Sequence, residues 1–533
     1  MCEGKLSVCR CAEPEGAGLA TPLDLKAEAD VHVLQGINQL IGHGWAYTPP
    51  QVEYPGWRFY AAGEYSDRNP WWIVMPDLAK YLQRVSWLMR QGEPSNDVAL
   101  YLPNADAYAQ FTPAKVHLIE VQRELVGEKL MPALFESGYN LDFFDDQILQ
   151  KFGRVKKDGI TLGSSNHRVI VLPGITRMPL ASLRKLDEFV KNGGILLATR
   201  KTPSIVPGYS ASVAEQNELK ALTAALFSGN NPRVKFVERD EDAGEVLKSM
   251  LAPDAAISPN GKDFGFVHRK TADADIYFIA NTSNLKKNVE VTFRAAAPSV
   301  SVWNAMNGTS TPAEVKRQTT DSTSVILNFE PYQSHIVVFS KSKAPEAFNK
   351  PKISNLATVD LSTGWNVTFG KDATVSMNKL TDWISSEQTR YFSGTAVYEK
   401  TFDSTAELLN GEATLDFGPS VSLEAVQQKN GMATYLNPPV KEAAVVYLND
   451  QRVGSLWSPP YNLDIKRFLR PGQNRLKVVV ANTAINYMAG RRLPDYKLLI
   501  LRYGDRFQPQ EMEKVVPYPS GLTGPIRIVT FNK

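Results

Sequence analysis

A chain of 533 residues exceeds the roughly 250–300 residues at which a single hydrophobic core stops growing, so three or four domains of about 100–200 residues are expected. Its apolar share of 43%, charged share of 22% and formal charge of +3 are those of an ordinary globular protein, and nothing in them calls for nucleic acid or an anionic membrane as partner. No run reaches the roughly 18–20 apolar residues of a membrane span, and the first residues lack the basic, apolar, small-residue order of a signal peptide.

Residues 1–19 stand apart. They hold Cys2, Cys9 and Cys11, the only cysteines of the chain, so no disulfide framework can staple the rest, and three thiols fall short of the four ligands of a zinc site. Residues 20–96 alternate helix and strand. "LDLKAEADVHVLQGINQL" has helical spacing, "LIGHGWAYTPP" leaves it as a strand running into a loop, and "MPDLAKYLQRVSWLMRQG" is a second amphipathic helix with Gly92 at its C-cap. This is the pattern of the last units of a (β/α)8 barrel, of which most would be missing, since a whole barrel takes about 250 residues.

From 97 to 260 the runs "DVALYLP", "YNLDFFDD", "HRVIVLPG" and "ILLAT" alternate with helical segments such as "PLASLRKLDEFVKNGG". Continuous apolar strands separated by helices imply a doubly wound, flavodoxin-like parallel sheet. The segment resembles the amidotransferase-like domain that accompanies several glycosidase barrels. An active amidotransferase needs a cysteine nucleophile, and none follows Cys11, so the domain is read as structural. Asp142, Asp145 and Asp146 in "LDFFDDQ" follow a strand, where carboxylates cap the next helix more often than they hold a hard cation.

Residues 261–342 change to short alternating strands with polar turns, a small β-sandwich. A Lys- and Pro-rich linker at 343–352 leads to strands over 353–533. There "AAVVYLNDQRVGSLWSPPYNLDIKRFLRPGQNRLKVVVANT" places a hairpin on Asn449 and Asp450 and resembles the galactose-binding-like jelly roll of many glycosidases. The fold class expected is therefore multidomain α/β plus all-β.

The most unusual stretch is "HGWAYTPPQVEYPGWRFYAAGEYSDRNPWW", His43 to Trp72, with nine aromatic rings among polar residues. A sugar presents an apolar C–H face ringed by hydroxyls, so its site needs flat rings to stack on and carboxylates, amides and guanidinium groups for the rim. The loop supplies both, and it follows a barrel strand, where barrel active sites are built. For any one aromatic, packing competes with this reading. His43 between glycines could equally bond a carbonyl, and Asp67 and Asn69 could serve only the turn before Pro70. Glu64 is the one carboxylate centred among the rings and is the local candidate for catalysis. Glycoside hydrolysis normally needs two carboxyl groups about 5–9.5 Å apart, and the loop names no second.

The texts "ATPLDLKAEADVHVLQGINQLIGHGWAYTPP", "YPGWRFYAAG", "NPWWIVMPDLAKYLQRVSWLMRQG", "DVALYLPNADAY", "YNLDFFDDQ" and "SGLTGPIRI" resemble family 106 of the glycoside hydrolases, the α-L-rhamnosidases, from about residue 20 to the C-terminus. The resemblance implies an inverting glycosidase with a catalytic barrel, accessory β domains and a calcium ion at the active site. Rhamnose-containing glycosides or polysaccharides would be its substrates, and the periplasm or the cell exterior its location. It carries over His43, Trp45, Tyr47, Asn69 and Trp71 as substrate-binding; Trp57 and Asp67 join them from the loop reading. The family's proton donor lies on an earlier barrel strand and its base near the end of the strand before "ATPLDLK", where Glu3, Glu13 and Glu15 do not reproduce the motif. The chain is therefore expected to be a fragment with impaired or no activity, and residues 1–19 a truncation or out-of-frame remnant. A non-catalytic carbohydrate-binding or scaffold protein built from the same accessory domains is the alternative.

Overall fold

The computed structural model describes residues 3–6, 20–42, 47–56, 66–112, 117–259, 261–342, 355–424, 433–491, 497–504 and 515–531. It is a mixed α/β and many-sheet β architecture. The three cysteines and the linker at 343–352 lie outside the described residues.

At the start, strand β1 (Glu3–Leu6) pairs in parallel with β2 (Gln39–Gly42), and helix α1 (Pro22–Leu34) connects them. Part of the stretch set apart on composition thus forms a strand. Helix α1 opens on a capping box in which Thr21 and Asp24 satisfy each other's backbone N–H groups, with Pro22 in the first turn, where its missing N–H costs nothing. Helix α2 (Met75–Leu88) packs beside it. That helix ends earlier than the sequence suggests, and Gly92 is not its cap. Gly92 has φ +55 and lies where an added Cβ would stand 2.0 Å from the Lys270 carbonyl oxygen. A close crossing of two backbones, rather than a helix terminus, requires glycine there.

Five strands follow: β3 (Val98–Tyr101), β4 (Leu141–Phe144), β5 (Val169–Leu172), β6 (Ile195–Thr199) and β7 (Val234–Val237). They form one parallel sheet in the order β7-β6-β5-β3-β4. Successive side chains leave opposite faces, which explains the unbroken apolar runs. Ala99, Tyr101, Ile170 and Leu196 meet Leu183, Phe189 and Leu219 on one side, while Val98, Leu100, Val171 and Leu197 meet Leu130, Leu134 and Leu247 on the other. Asp145 caps the helix after β4 by accepting from Ile148 N at 2.9 Å.

Next come β8 (Phe264–Lys270), β9 (Ala274–Asn281), β10 (Lys287–Phe293), β11 (Ser299–Asn304), β12 (Thr309–Pro312), β13 (Thr323–Phe329) and β14 (Ser334–Ser340). β12-β11-β14-β9-β8 belong to one antiparallel sheet and β10 and β13 to a second. Between the two sheets lie Tyr277, Ile279, Val291, Phe293, Val325 and Phe339. The opposite face of β9 and β14, with Ile276, Phe278, Ile336 and Val338, is covered by Leu25, Ala29 and Val33 of α1 and Tyr81 and Val85 of α2. Strand β9 is buried on both faces, so "DIYFIA" reads as continuous apolar sequence instead of alternating. At about 1.5–3 kcal/mol for each fully buried large side chain, this double burial fixes the two helices to the sandwich.

The C-terminal part pairs β15 (Trp365–Phe369), β16 (Thr395–Ser404), β17 (Ala443–Leu448), β18 (Gln451–Leu456) and β19 (Gly472–Ala481) in the order β15-β16-β19-β17-β18. A four-stranded antiparallel sheet faces it across a core of Trp365, Trp383, Tyr398, Leu415, Val478 and Ile528. The β17–β18 hairpin turns on Asn449 (φ 53) and Asp450 (φ 64), the two positive φ angles of a type I′ turn.

Candidate functional site

The loop between β2 and α2 carries the residues expected to bind sugar. His43, Trp45, Trp57 and Glu64 lie outside the described residues. Tyr47 is 69% exposed and Asp67 is also exposed, whereas Asn69 and Trp71 are buried. Arg68 braces the loop by donating to the carbonyls of Val52 (2.8 Å) and Pro49 (3.3 Å).

Asn69 precedes the short 3₁₀ helix Pro70–Val74, the position from which an asparagine side chain commonly caps. Here it does not cap. Neither Nδ2 nor Oδ1 of Asn69 has a hydrogen-bond partner among the described residues, and the same holds for Nε1 of Trp71 and Oδ1 of Asn38, just ahead of β2. A buried polar group left unmade costs about 1–3 kcal/mol, so the adjacent unpartnered groups of Asn69 and Trp71 mark a place for bound water or ligand. The Trp71 ring itself is core, wholly enclosed with Leu25, Leu78, Tyr81, Val445 and Trp457. Only its N–H is left for a ligand; it offers no open face for stacking.

Helix α1 adds a carboxyl group that the sequence reading passed over. Glu28 is pushed up to about 7, first by burial and then by the neighbouring charge of Asp24. Its Oε2 is buried without a partner, and its Oε1 lies 3.6 Å from His32 Nε2. A carboxyl group that still holds its proton near neutrality can donate a hydrogen bond or a proton. The signal for it was the i, i+4 series Asp24, Glu28, His32 along a helix whose other residues are largely apolar.

On another side of the same helix Lys26 donates to Asp30 Oδ2 at 2.7 Å and to the carbonyl oxygen of Tyr332. Tyr81 of α2 donates to Asp30 Oδ1, and its oxygen lies 2.7 Å from Ser334 Oγ on β14. Burial raises Asp30 above the usual carboxylate range despite Lys26 and these hydrogen bonds, and burial together with Asp30 lifts Tyr81 far above an ordinary phenol. Every member is paired, so the network is a positioning device that sets α1 against α2 and the sandwich.

The C-terminal sheets hold the loop from the other side. Asp24 Oδ1 accepts from Thr434 N and Oγ1, both at 2.7 Å, and Ser455 Oγ donates to Asp77 at 2.7 Å. The rings of Tyr54 and Tyr487 meet edge to face at 4.8 Å. Among the described residues no group of three or more His, Cys, Asp or Glu is placed to hold a metal ion.

Three comparisons bear on this geometry. The rhamnosidase from Novosphingobium sp. PP1Y superposes with a TM-score of 0.74 at 24% identity, over 98% of this chain and 46% of that one, so the fold is shared. A protein of Formosa agariphila named "Putative beta-glucuronidase" is 26% identical over 350 residues, 64% of this chain and 28% of that relative. The chain spans less than half the length of either. The family model described as alpha-L-rhamnosidase matches residues 12–317, reaching further toward the N-terminus than residue 20, where the likeness was expected to begin. With more than half its residues matched, the chain belongs to the α-L-rhamnosidases of glycoside hydrolase family 106.

Proposed function

We propose that this chain provides the sugar-facing loop and the accessory layers of a glycosidase that cleaves α-L-rhamnosides with inversion. The observation that carries the reading is the pair of residues Asn69 and Trp71, whose buried polar groups are unpartnered among the described residues, in the aromatic loop of a chain of this family. In inverting hydrolysis one carboxyl group protonates the leaving oxygen while another activates water on the opposite face of the sugar. The roles proposed for the loop are to stack the sugar on its exposed rings, such as Tyr47, and to bond its hydroxyls through Asn69. His43, Trp45, Trp57 and Asp67 would complete the subsite, with Glu64 as the local carboxylate. The finer architecture is proposed with it. The β1–α1–β2 unit supports a barrel end, the parallel order supports an amidotransferase-like layer, and the paired C-terminal sheets support a galactose-binding-like jelly roll. Rhamnose-containing polymers lie outside cells, which supports a periplasmic or extracellular location; among the described residues no helix is long and apolar enough to cross a membrane.

The test is to titrate the chain with L-rhamnose and to assay it on an aryl α-L-rhamnoside, each with and without calcium. Turnover supports the catalytic reading. Rhamnose binding without turnover favours the non-catalytic carbohydrate-binding alternative, and absence of both overturns the assignment of the loop.

A further inference from the structure

Away from the aromatic loop, indole rings meet open polar surface on the β-sandwich. Helix α2 lies across the outer face of the β11–β14–β9 sheet, and beneath it that face is aliphatic: Ile276, Ile336 and Val338. Past the edge of the helix the same face changes character. Ser299, Ser301 and Trp303 alternate outward along β11, Ser310 lies opposite Trp303 on β12, and Val300 and Val302 point into the sandwich core. Trp87, near the end of α2, is 55% exposed and overhangs this strip. Two hollows of about 590 and 430 Å³ run along it and share Trp87, Leu88, Trp303 and Ser310 as walls, so they form one groove. Each is within the range of about 300–1,000 Å³ typical of small-ligand sites.

We propose that this groove is a second carbohydrate-binding site, separate from the loop, whose ligand is a neutral chain of pyranose rings. Two indoles that line both hollows, Trp87 on α2 and Trp303 on β11, offer flat apolar surface for the C–H sides of sugar rings. Between them runs a row of small hydroxyls. Those of Ser299 and Ser310 make no hydrogen bond among the described residues, and Ser301 Oγ accepts from Trp303 Nε1 at 2.9 Å, which fixes the indole and leaves the serine proton to donate. The lining holds no carboxylate and no lysine. Its Arg84 is committed to the carbonyls of Ala305 and Met306, each at 2.9 Å, and its Arg90 to that of Ser86 at 3.1 Å. Rings and uncharged hydroxyls over an aliphatic floor of Ile276, Ile336 and Val338 match the mixed C–H and hydroxyl surface of a sugar ring. The groove stands on its own geometry; only the choice of rhamnose as its sugar rests on the function proposed above.

The full chain is titrated with a neutral rhamnose trisaccharide and, separately, with cellotriose, by calorimetry. The variants Trp87→Ala, Ser310→Tyr (which fills the groove) and Asn69→Leu (which alters only the loop) are compared. A binding component weakened at least about fivefold by Trp87→Ala and Ser310→Tyr but kept in Asn69→Leu, at unchanged melting temperature, establishes the site, the loop's own component being the one that Asn69→Leu removes. If neither sugar binds the wild type, or if only Asn69→Leu weakens binding, the proposal is overturned. A Trp87→Ala change in sedimentation behaviour instead of sugar affinity also overturns it, because the occupant is then a second copy of the chain. Binding of cellotriose alone leaves the groove standing and counts against rhamnose as its sugar.

Discussion

Lys26 and Asp30, one helical turn apart on α1, close an ion pair of 2.7 Å with side chains only 1% and 5% exposed. Removing one partner strands the other charge in the interior, which costs on the order of 3–5 kcal/mol, whereas exchanging both for apolar residues of similar volume is far milder. Asp30→Ala is therefore expected to lower the denaturant midpoint sharply, and Lys26→Met with Asp30→Leu to recover most of the loss. A single variant within about 1 kcal/mol of wild type would show that the pair does not set the helix.

Glu28 carries the opposite lesson. Its folded pKa of about 7 lies above the ordinary carboxylate value, so the stability it takes part in is present at low pH and is lost as the pH rises from about 4.5 through 7. Glu28→Gln should match wild type at pH 4 and exceed it at pH 8 by roughly 1–3 kcal/mol, read from urea unfolding at the two pH values.

A second titration runs in the same direction at higher pH. His268 donates from both ring nitrogens to Asp254 and Asp275, each at 2.9 Å, and stacks on Tyr277. Burial alone would push it down, but the two carboxylates, Asp254 foremost, hold it up at about 9. Its contribution is full below the unfolded value near 6.5 and disappears as the pH rises through 9, on the order of 3 kcal/mol in all. Melting temperature should fall between pH 7 and 10 in the wild type and much less in His268→Gln.

Asn69→Leu removes a buried amide that has no partner among the described residues. Stability should be unchanged or up by about 1 kcal/mol, while affinity for rhamnosides falls at least about tenfold. Thermal unfolding and calorimetric titration of the same preparation separate the two effects.

Gly92→Ala meets the Lys270 carbonyl at a residue with φ +55. A loss of at least about 2 kcal/mol is expected, without change in the spectroscopic helix content, since α2 ends before it.

The sequence disclosed the features that act locally. The doubly buried runs "VIVL" and "ILLAT" announce strands covered on both faces, and Asn449-Asp450 announces a I′ turn because few other pairs tolerate two positive φ angles. Features that depend on distant chain were hidden. Gly92 looks like a helix cap until Lys270 is known to pass behind it, and Trp71 looks like a stacking platform until the sandwich and C-terminal sheet close over its ring. The antiparallel strands Gly153–Lys156, Gly159–Leu162 and Ser165–His167 escaped because, at three or four residues each, they are too short for a period to register. Glu28 sits in an i, i+4 polar series of the kind many helices carry; the burial of its Oε2 without a partner is what distinguishes it.

Asp24 closes the first helix's capping box with one oxygen and receives Thr434, 410 residues later, with the other. The first helix is thus completed by chain synthesised near the end. During translation at about 5–20 residues per second, it waits tens of seconds for this last partner. The C-terminal part is in this sense a late-arriving clamp on the helix.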